Sequence, residues 1–163
     1  MLNTLGGVNT KKKIIIVSTL LLVISLSVFI LGNKSKKTTC QYDSSQKDYQ
    51  ISTKYNIYSK KNIVVKVVSK SIIKSSDEKK LKQMKKEYEK QYKTLNKKYS
   101  GYKYNLKITK NKLYIKLTIL YNKIDMKKFI YDNGAMKSYL DENKYYPLTK
   151  AIDYYTSIGV SCK

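Results

Sequence analysis

The feature that most constrains this chain is an apolar run near its N-terminus. Residues 14–31 are 18 consecutive residues without a charged side chain, and only Ser and Thr interrupt their apolar character. About 18 apolar residues are needed for a helix to span a membrane. The sequence therefore predicts a single transmembrane anchor over 14–31. A cleaved secretory signal and a buried core helix are the alternatives.

The orientation of this anchor is not decided by the positive-inside rule, because lysines lie directly before and after the run. A short basic N-terminus ahead of an apolar run is typical of a secretory signal, which leaves its N-terminus in the cytoplasm. We therefore expect a cytoplasmic segment over 1–13, a polar tether over 32–48 and an extracellular domain over 49–163. The predicted location is the cell membrane, with one spanning helix.

The ionisable side chains limit the chemistry that the chain can perform. All 34 basic residues are Lys, against 11 acidic ones, which gives a formal net charge of +23. A genome of low GC content would produce this composition without selection for any partner. There is no His, so the usual general base and the commonest metal ligand are both missing. We find no zinc spacing, phosphate loop or nucleophile motif, and predict a protein that is not an enzyme and uses no cofactor or metal.

Two cysteines lie at the two ends of the predicted outer domain. Cys40 follows the apolar run, and Cys162 is the penultimate residue. An even number of cysteines in an exported domain favours pairing, so we predict a disulfide between them. Two unrelated buried thiols are the alternative.

The hydrophobic pattern after residue 48 predicts an α+β fold. Apolar and β-branched residues alternate over 49–57 and run almost unbroken over 63–73, which indicates a hairpin, and a second hairpin follows over 102–121. Helical spacing separates the hairpins, beginning at a capping box formed by Ser75 and Glu78. Further helices are predicted after Asp125 and Pro147. The expected order is ββα-ββα-α, a four-stranded antiparallel sheet with helices packed on one face, preceded by the transmembrane helix.

The stretch from Tyr55 to Cys162 resembles the YehR-like bacterial lipoproteins, a domain family without an established function. The resemblance covers about two thirds of the chain and is carried by four segments: Tyr55–Lys60, Tyr99–Tyr104, Asp132–Leu140 and Ile158–Lys163. It implies a fold rather than an activity. Asn33 stands near the place of the family's lipid-bearing Cys, so the resemblance does not extend to lipid attachment.

The predicted long helix carries a regular row of lysines opposite its apolar stripe. Steps of three and four residues place six of them on one face: Lys79, Lys82, Lys86, Lys90, Lys93 and Lys97. We call this set the lysine rail. It is interpreted as a binding surface for an anionic envelope polymer or for lipid headgroups, with an ordinary solvated face as the alternative.

A second basic surface is predicted on the uncovered face of the sheet. The strand alternation directs these residues away from the helices: Lys54, Tyr58, Lys66, Lys103, Lys107, Tyr114 and Lys116. Lysines interleaved with aromatic rings suit nucleic acid, but an extracellular location argues against that partner. Protection of exposed strands is the simpler interpretation.

Three functions are therefore compatible with the sequence of this chain. The first is a membrane-anchored, non-enzymatic envelope domain that binds an anionic polymer or a surface protein. The second is an extracellular hydrolase that uses carboxylates, for which the candidates are Asp125, Asp132, Asp141 and Glu142. The third is a cytoplasmic-facing protein that binds nucleic acid, which requires the opposite orientation and reduced thiols.

Overall fold

A computed structural model describes residues 35–163, which form one six-stranded antiparallel sheet with helices against it. The strands lie in the order β4-β5-β3-β2-β1-β6, so β4 and β6 are the two edges. Their bounds are β1 Lys36–Ser45, β2 Gln50–Lys60, β3 Ile63–Lys74, β4 Tyr102–Thr109, β5 Lys112–Leu120 and β6 Ser161–Cys162. The α-helices are α1 Glu78–Lys98, α2 Met126–Asp132 and α3 Leu148–Ser157, with 3₁₀ turns at Tyr121–Lys123 and Gly134–Tyr139.

The predicted four-stranded sheet is wrong, because two further strands extend it beyond β2. The first, β1, occupies Lys36–Ser45, where we expected a polar tether over 32–48, and pairs with β2 along its whole length. The second, β6, pairs with β1 through Cys40 and Gln41. A strand with few apolar residues is stable here because its partner strand supplies the hydrogen bonds and only one of its faces is covered.

The predicted transmembrane anchor over 14–31 lies outside the described residues. The helices of residues 35–163 include none that is both long enough and apolar enough to cross a membrane. The expected combination of a membrane helix with a four-stranded sheet therefore does not describe this structure.

One face of the sheet carries the hydrophobic core. The strand register aligns Ile57 with Val67 and Ile73 with Leu113, and all four are buried. The helix α1 contributes Leu81, which is fully buried against Ile73 and Leu113. Tyrosines supply much of the remaining area of this face, and they include Tyr55, Tyr99, Tyr102, Tyr146 and Tyr155.

The helix α1 is fixed at both ends by specific contacts. Its N-cap is Asp77 rather than the predicted Ser75, since the Asp77 carboxylate accepts a hydrogen bond from the backbone N–H of Lys80 at 3.0 Å. After its C-terminus the chain turns at Gly101, where a Cβ would meet the Leu120 carbonyl oxygen and would lie 2.6 Å from Ile124. Only glycine lets the backbone at residue 101 come this close to Leu120 and Ile124. The close approach fixes where the chain leaves α1 and returns to the sheet.

Candidate anion-binding surface

The lysine rail lies on the solvent side of α1. This helix buries or half-buries Leu81, Met84, Tyr88, Tyr92 and Leu95 against the sheet. All six rail lysines are exposed. At about 1.5 Å per residue, the row from Lys79 to Lys97 extends for roughly 27 Å. The arrangement is a straight cationic strip on a rigid support.

Among residues 35–163, a carboxylate neutralises the positive charge of the rail only near the start of α1. Within residues 35–163, Lys82 is the rail lysine that forms an ion pair, with its Nζ 3.1 Å from Oε1 of Glu78. Glu87 accepts a hydrogen bond from Gln83 at 3.0 Å and so turns toward a neutral side chain. Like charges at i,i+4 repel by a few tenths of a kcal/mol, and an anion bound along Lys86, Lys90 and Lys93 would relieve that repulsion.

The end of α1 is held by a polar cluster. The Tyr99 hydroxyl donates to Oδ2 of Asp132 at 2.7 Å, and Lys98 Nζ lies 3.0 Å from the same oxygen. These contacts, with the tyrosine hydroxyl as the larger cause, lower the pKa of Asp132. Burial raises the pKa of Tyr99 above its ordinary value. The cluster ties α1 to α2 and sets the direction of the rail.

Two of the four carboxylates of the hydrolase alternative have contacts that belong to a cap and a turn. Asp125 accepts hydrogen bonds from the backbone N–H groups of Lys127 and Lys128, and Asp141 accepts one from Tyr145 N at 2.8 Å. Asp132 is an ionised partner of Lys98 with a lowered pKa, whereas a general acid needs a raised one. The fourth candidate, Glu142, is exposed. The hydrolase hypothesis therefore gains no support from these contacts.

The predicted disulfide is confirmed. Cys40 and Cys162 face each other across β1 and β6, with Cα atoms 3.9 Å apart, and they close a span of 122 residues. The half-cystine Cys40 is fully buried beside Ala151 and Val160. The bond joins the first strand of the described domain to the last and covers the side of the core under α3.

A cleft of about 460 Å³ opens between the start of β3 and the loop before α3. Its walls include Val64, Tyr121, Met126 and Tyr146, with the edge provided by Lys144. Sequence patterns gave no sign of this cleft, because its residues come from three separate segments. No carboxylate other than Asp125 lines it, and Asp125 caps α2.

Sequence reasoning also missed lysines of the open sheet face. The strand register adds four to that face: Lys37, Lys70, Lys74 and Lys112. A signal was present in β3, where every second residue lies on the open face and Lys66, Lys70 and Lys74 take turns there with Val68 and Ile72. It was obscured because the β-branched residues of this strand occupy both faces.

These features define a class of fold: a two-layer α+β domain with helices on one face of an antiparallel sheet and a disulfide between its ends. The backbone of the described domain is similar to the NMR structure of the E. coli YehR protein, with a TM-score of 0.53 and 17% sequence identity over 80% of this chain and 92% of that one. At this identity the likeness shows the fold alone.

A second solved structure is similar over most of its length. The NMR structure of a protein from Streptococcus pneumoniae TIGR4 is 18% identical, over 80% of this chain and 86% of that one. Its TM-score is 0.48. No protein-family model and no curated protein matches the chain.

Proposed function

We propose that this chain is a non-enzymatic envelope protein that binds an anionic polymer outside the cytoplasm, along the lysine rail of α1. The observation that carries the proposal is the rail itself. Six exposed lysines follow one side of a 21-residue helix, and Glu78 is the one carboxylate paired with them in residues 35–163. A linear polyanion with regularly spaced phosphates complements such a strip.

The absence of Arg from the sequence favours this class of ligand over a defined small molecule. Lysine offers a mobile point charge, whereas planar, bidentate recognition of one phosphate or carboxylate uses Arg. Attraction by lysine is therefore diffuse, tolerant of polymer length and sensitive to salt. A polyol phosphate of the cell envelope has the required charge and length.

The disulfide supports a location outside the cytoplasm. Bonds of this kind persist in oxidising compartments, while cytoplasmic thiols are kept reduced. Cys40 and Cys162 join strands that are paired in the sheet, so the bond belongs to the folded domain. In that location the anionic polymers and the membrane surface are the abundant polyanions.

The test is a binding titration of the full chain, held in a non-ionic detergent, with deacylated lipoteichoic acid as a soluble poly(glycerol phosphate). Changing Lys86, Lys90, Lys93 and Lys97 to Gln should weaken binding at low salt by about tenfold or more, since each lysine lost leaves one phosphate without its partner. The matched control removes the same charge from exposed positions outside the rail: Lys127, Lys137, Lys144 and Lys150. Equal losses in the two variants would show that net charge alone acts, and the rail would be rejected.

A further inference from the structure

The open face of the sheet concentrates positive charge on the side opposite α1. The strand register places nine lysines on this face, and Asp43 is its one carboxylate. The nine are Lys37, Lys54, Lys66, Lys70, Lys74, Lys103, Lys107, Lys112 and Lys116. Asp43 lies on β1, away from most of them, and its pKa is lowered by hydrogen bonds from Ser52 and Gln41.

The centre of this face is a row of like charges. Lys54 of β2 is directly opposite Lys70 of β3, and Lys70 is directly opposite Lys116 of β5. Directly opposed side chains have Cβ atoms about 5 Å apart, so like charges in these positions repel. All three side chains are exposed, and none forms an ion pair in the part of the chain that the structure describes. We call them the lysine row.

Protection against edge pairing does not explain the lysine row. Lysines that serve this purpose lie on edge strands, where backbone groups are unpaired. Here the edges are β4 and β6, while β2, β3 and β5 are interior strands with partners on both sides. The row therefore adds repulsion at positions where the fold does not need charge.

One lysine of the same face, Lys66, has a local partner. Lys66 Nζ lies 4.0 Å from the centre of the Tyr58 ring, a cation–π contact that holds its side chain down on the sheet. The lysine row lacks a comparable contact within residues 35–163 and points into solvent. Its three ammonium groups remain available to a ligand.

We infer that the lysine row is the centre of a second polyanion-binding surface, so that one domain joins two polyol phosphate chains. The rail faces away from the sheet because α1 packs its apolar side on the covered face, through Leu81 and Tyr88 among others. The row faces the opposite way. A single straight polymer cannot lie along both surfaces, and two polymers therefore meet on one domain. This inference rests on the proposed function.

Cross-linking is the property that separates this inference from simple binding. The full chain is placed in a non-ionic detergent with micelles in excess, so that each micelle holds at most one protein. Deacylated lipoteichoic acid is then added while light scattering is recorded. For the unchanged protein, scattering should rise severalfold near equivalence and fall again when excess polymer occupies each surface separately.

The decisive variant changes Lys54, Lys70 and Lys116 to Gln. It should still bind the polymer through the rail, but the rise in scattering should shrink to that of single polymer chains loaded with protein. A control that changes Lys127, Lys137 and Lys150 to Gln removes the same charge from exposed positions off both surfaces and should keep the rise. Melting curves of all three proteins check that the fold is retained.

The outcomes distinguish this inference from the proposed function. If the unchanged protein does not bind the polymer, both fail. If it binds but the lysine-row variant cross-links as well as the unchanged protein, the second surface is rejected and the proposed function stands. Equal loss of scattering in the row variant and the control would also reject it, because net charge alone would then explain the effect.

Discussion

The two faces of the sheet differ in almost every physical respect. The covered face holds Ile57, Val67, Ile73 and Leu113, all at most 2% exposed, together with a layer of tyrosines. The open face holds the lysine row, which repels itself. The first face therefore contributes to the stability of the domain, and the second detracts from it. The comparison teaches that packing on the covered face, and not charge on the open face, holds the domain together.

The largest effect on the covered face should come from its disulfide. Changing both Cys40 and Cys162 to Ser removes a cross-link over 122 residues. In the chain-entropy account this lowers the free energy of unfolding by about 5 kcal/mol, a large part of the total for a domain of this size. Denaturant melts of the two proteins measure the difference. An unchanged midpoint would mean that β1 and β6 hold without the bond.

A cavity in the core should have the next largest effect. Leu81 is fully buried between α1 and the sheet, so changing it to Ala should cost about 3 kcal/mol. The comparison is a change of Val68 to Ala. Val68 lies half-buried on the open face, so this change should lower the free energy of unfolding by about 1 kcal/mol or less. Equal costs in thermal or urea melts would contradict the assignment of the two faces.

The free energy of unfolding should depend on pH through the buried tyrosines of the covered face. Burial raises the pKa of Tyr102 to about 12, from an ordinary value of 10.0. Between these values the unfolded chain loses the proton first, so the stabilisation is complete below pH 10 and is lost as the pH rises toward 12. Phe has no hydroxyl to ionise, so the Tyr102→Phe variant does not lose this contribution. Its free energy of unfolding, relative to that of the unchanged protein, should therefore rise by up to about 2 kcal/mol between pH 10 and pH 12. Urea melts at several pH values check the difference, and a constant difference would count against burial of this hydroxyl.

The smallest effect is expected on the open face and has the opposite sign. Changing Lys70 to Gln removes two like-charge pairs, with Lys54 and Lys116, and should raise the free energy of unfolding by a few tenths of a kcal/mol at low salt. The gain should vanish at high salt. Lys103 is opposite Thr118, so Lys103→Gln is the matched control and should change little. A loss of stability in the Lys70 variant would contradict the repulsion.

The sequence predicted those parts of the fold that have a strong local pattern. Both hairpins are present as β2–β3 and β4–β5, and the long helix lies where the spacing of Leu81, Tyr88 and Leu95 indicated. The strand β1 was missed because only Cys40 and Tyr42 are apolar along it, and its stability depends on pairing with β2. The two-residue β6 has no local signal and exists through its contact with β1.

Of the two candidate binding surfaces, one could be predicted from a local sequence pattern and the other could not. The lysine rail could be predicted because helical spacing alone puts its members on one face. The lysine row could not, since it depends on which residues of β2, β3 and β5 are opposite one another. A one-residue change of register would move Lys70 to the covered face. Long-range pairing is a property of the folded chain, and a single sequence does not contain it in readable form.

The most direct test of the central claim, binding of a polyanion through lysine surfaces, is the salt dependence of the association constant for deacylated lipoteichoic acid. We predict a linear fall of its logarithm with the logarithm of salt concentration, with a slope that decreases by about 0.7 to 0.9 for each phosphate contact removed. The slope should therefore flatten in the rail variant and in the lysine-row variant, and remain unchanged in their charge-matched controls. Binding that does not depend on salt, or equal slopes in all of these proteins, would contradict the account.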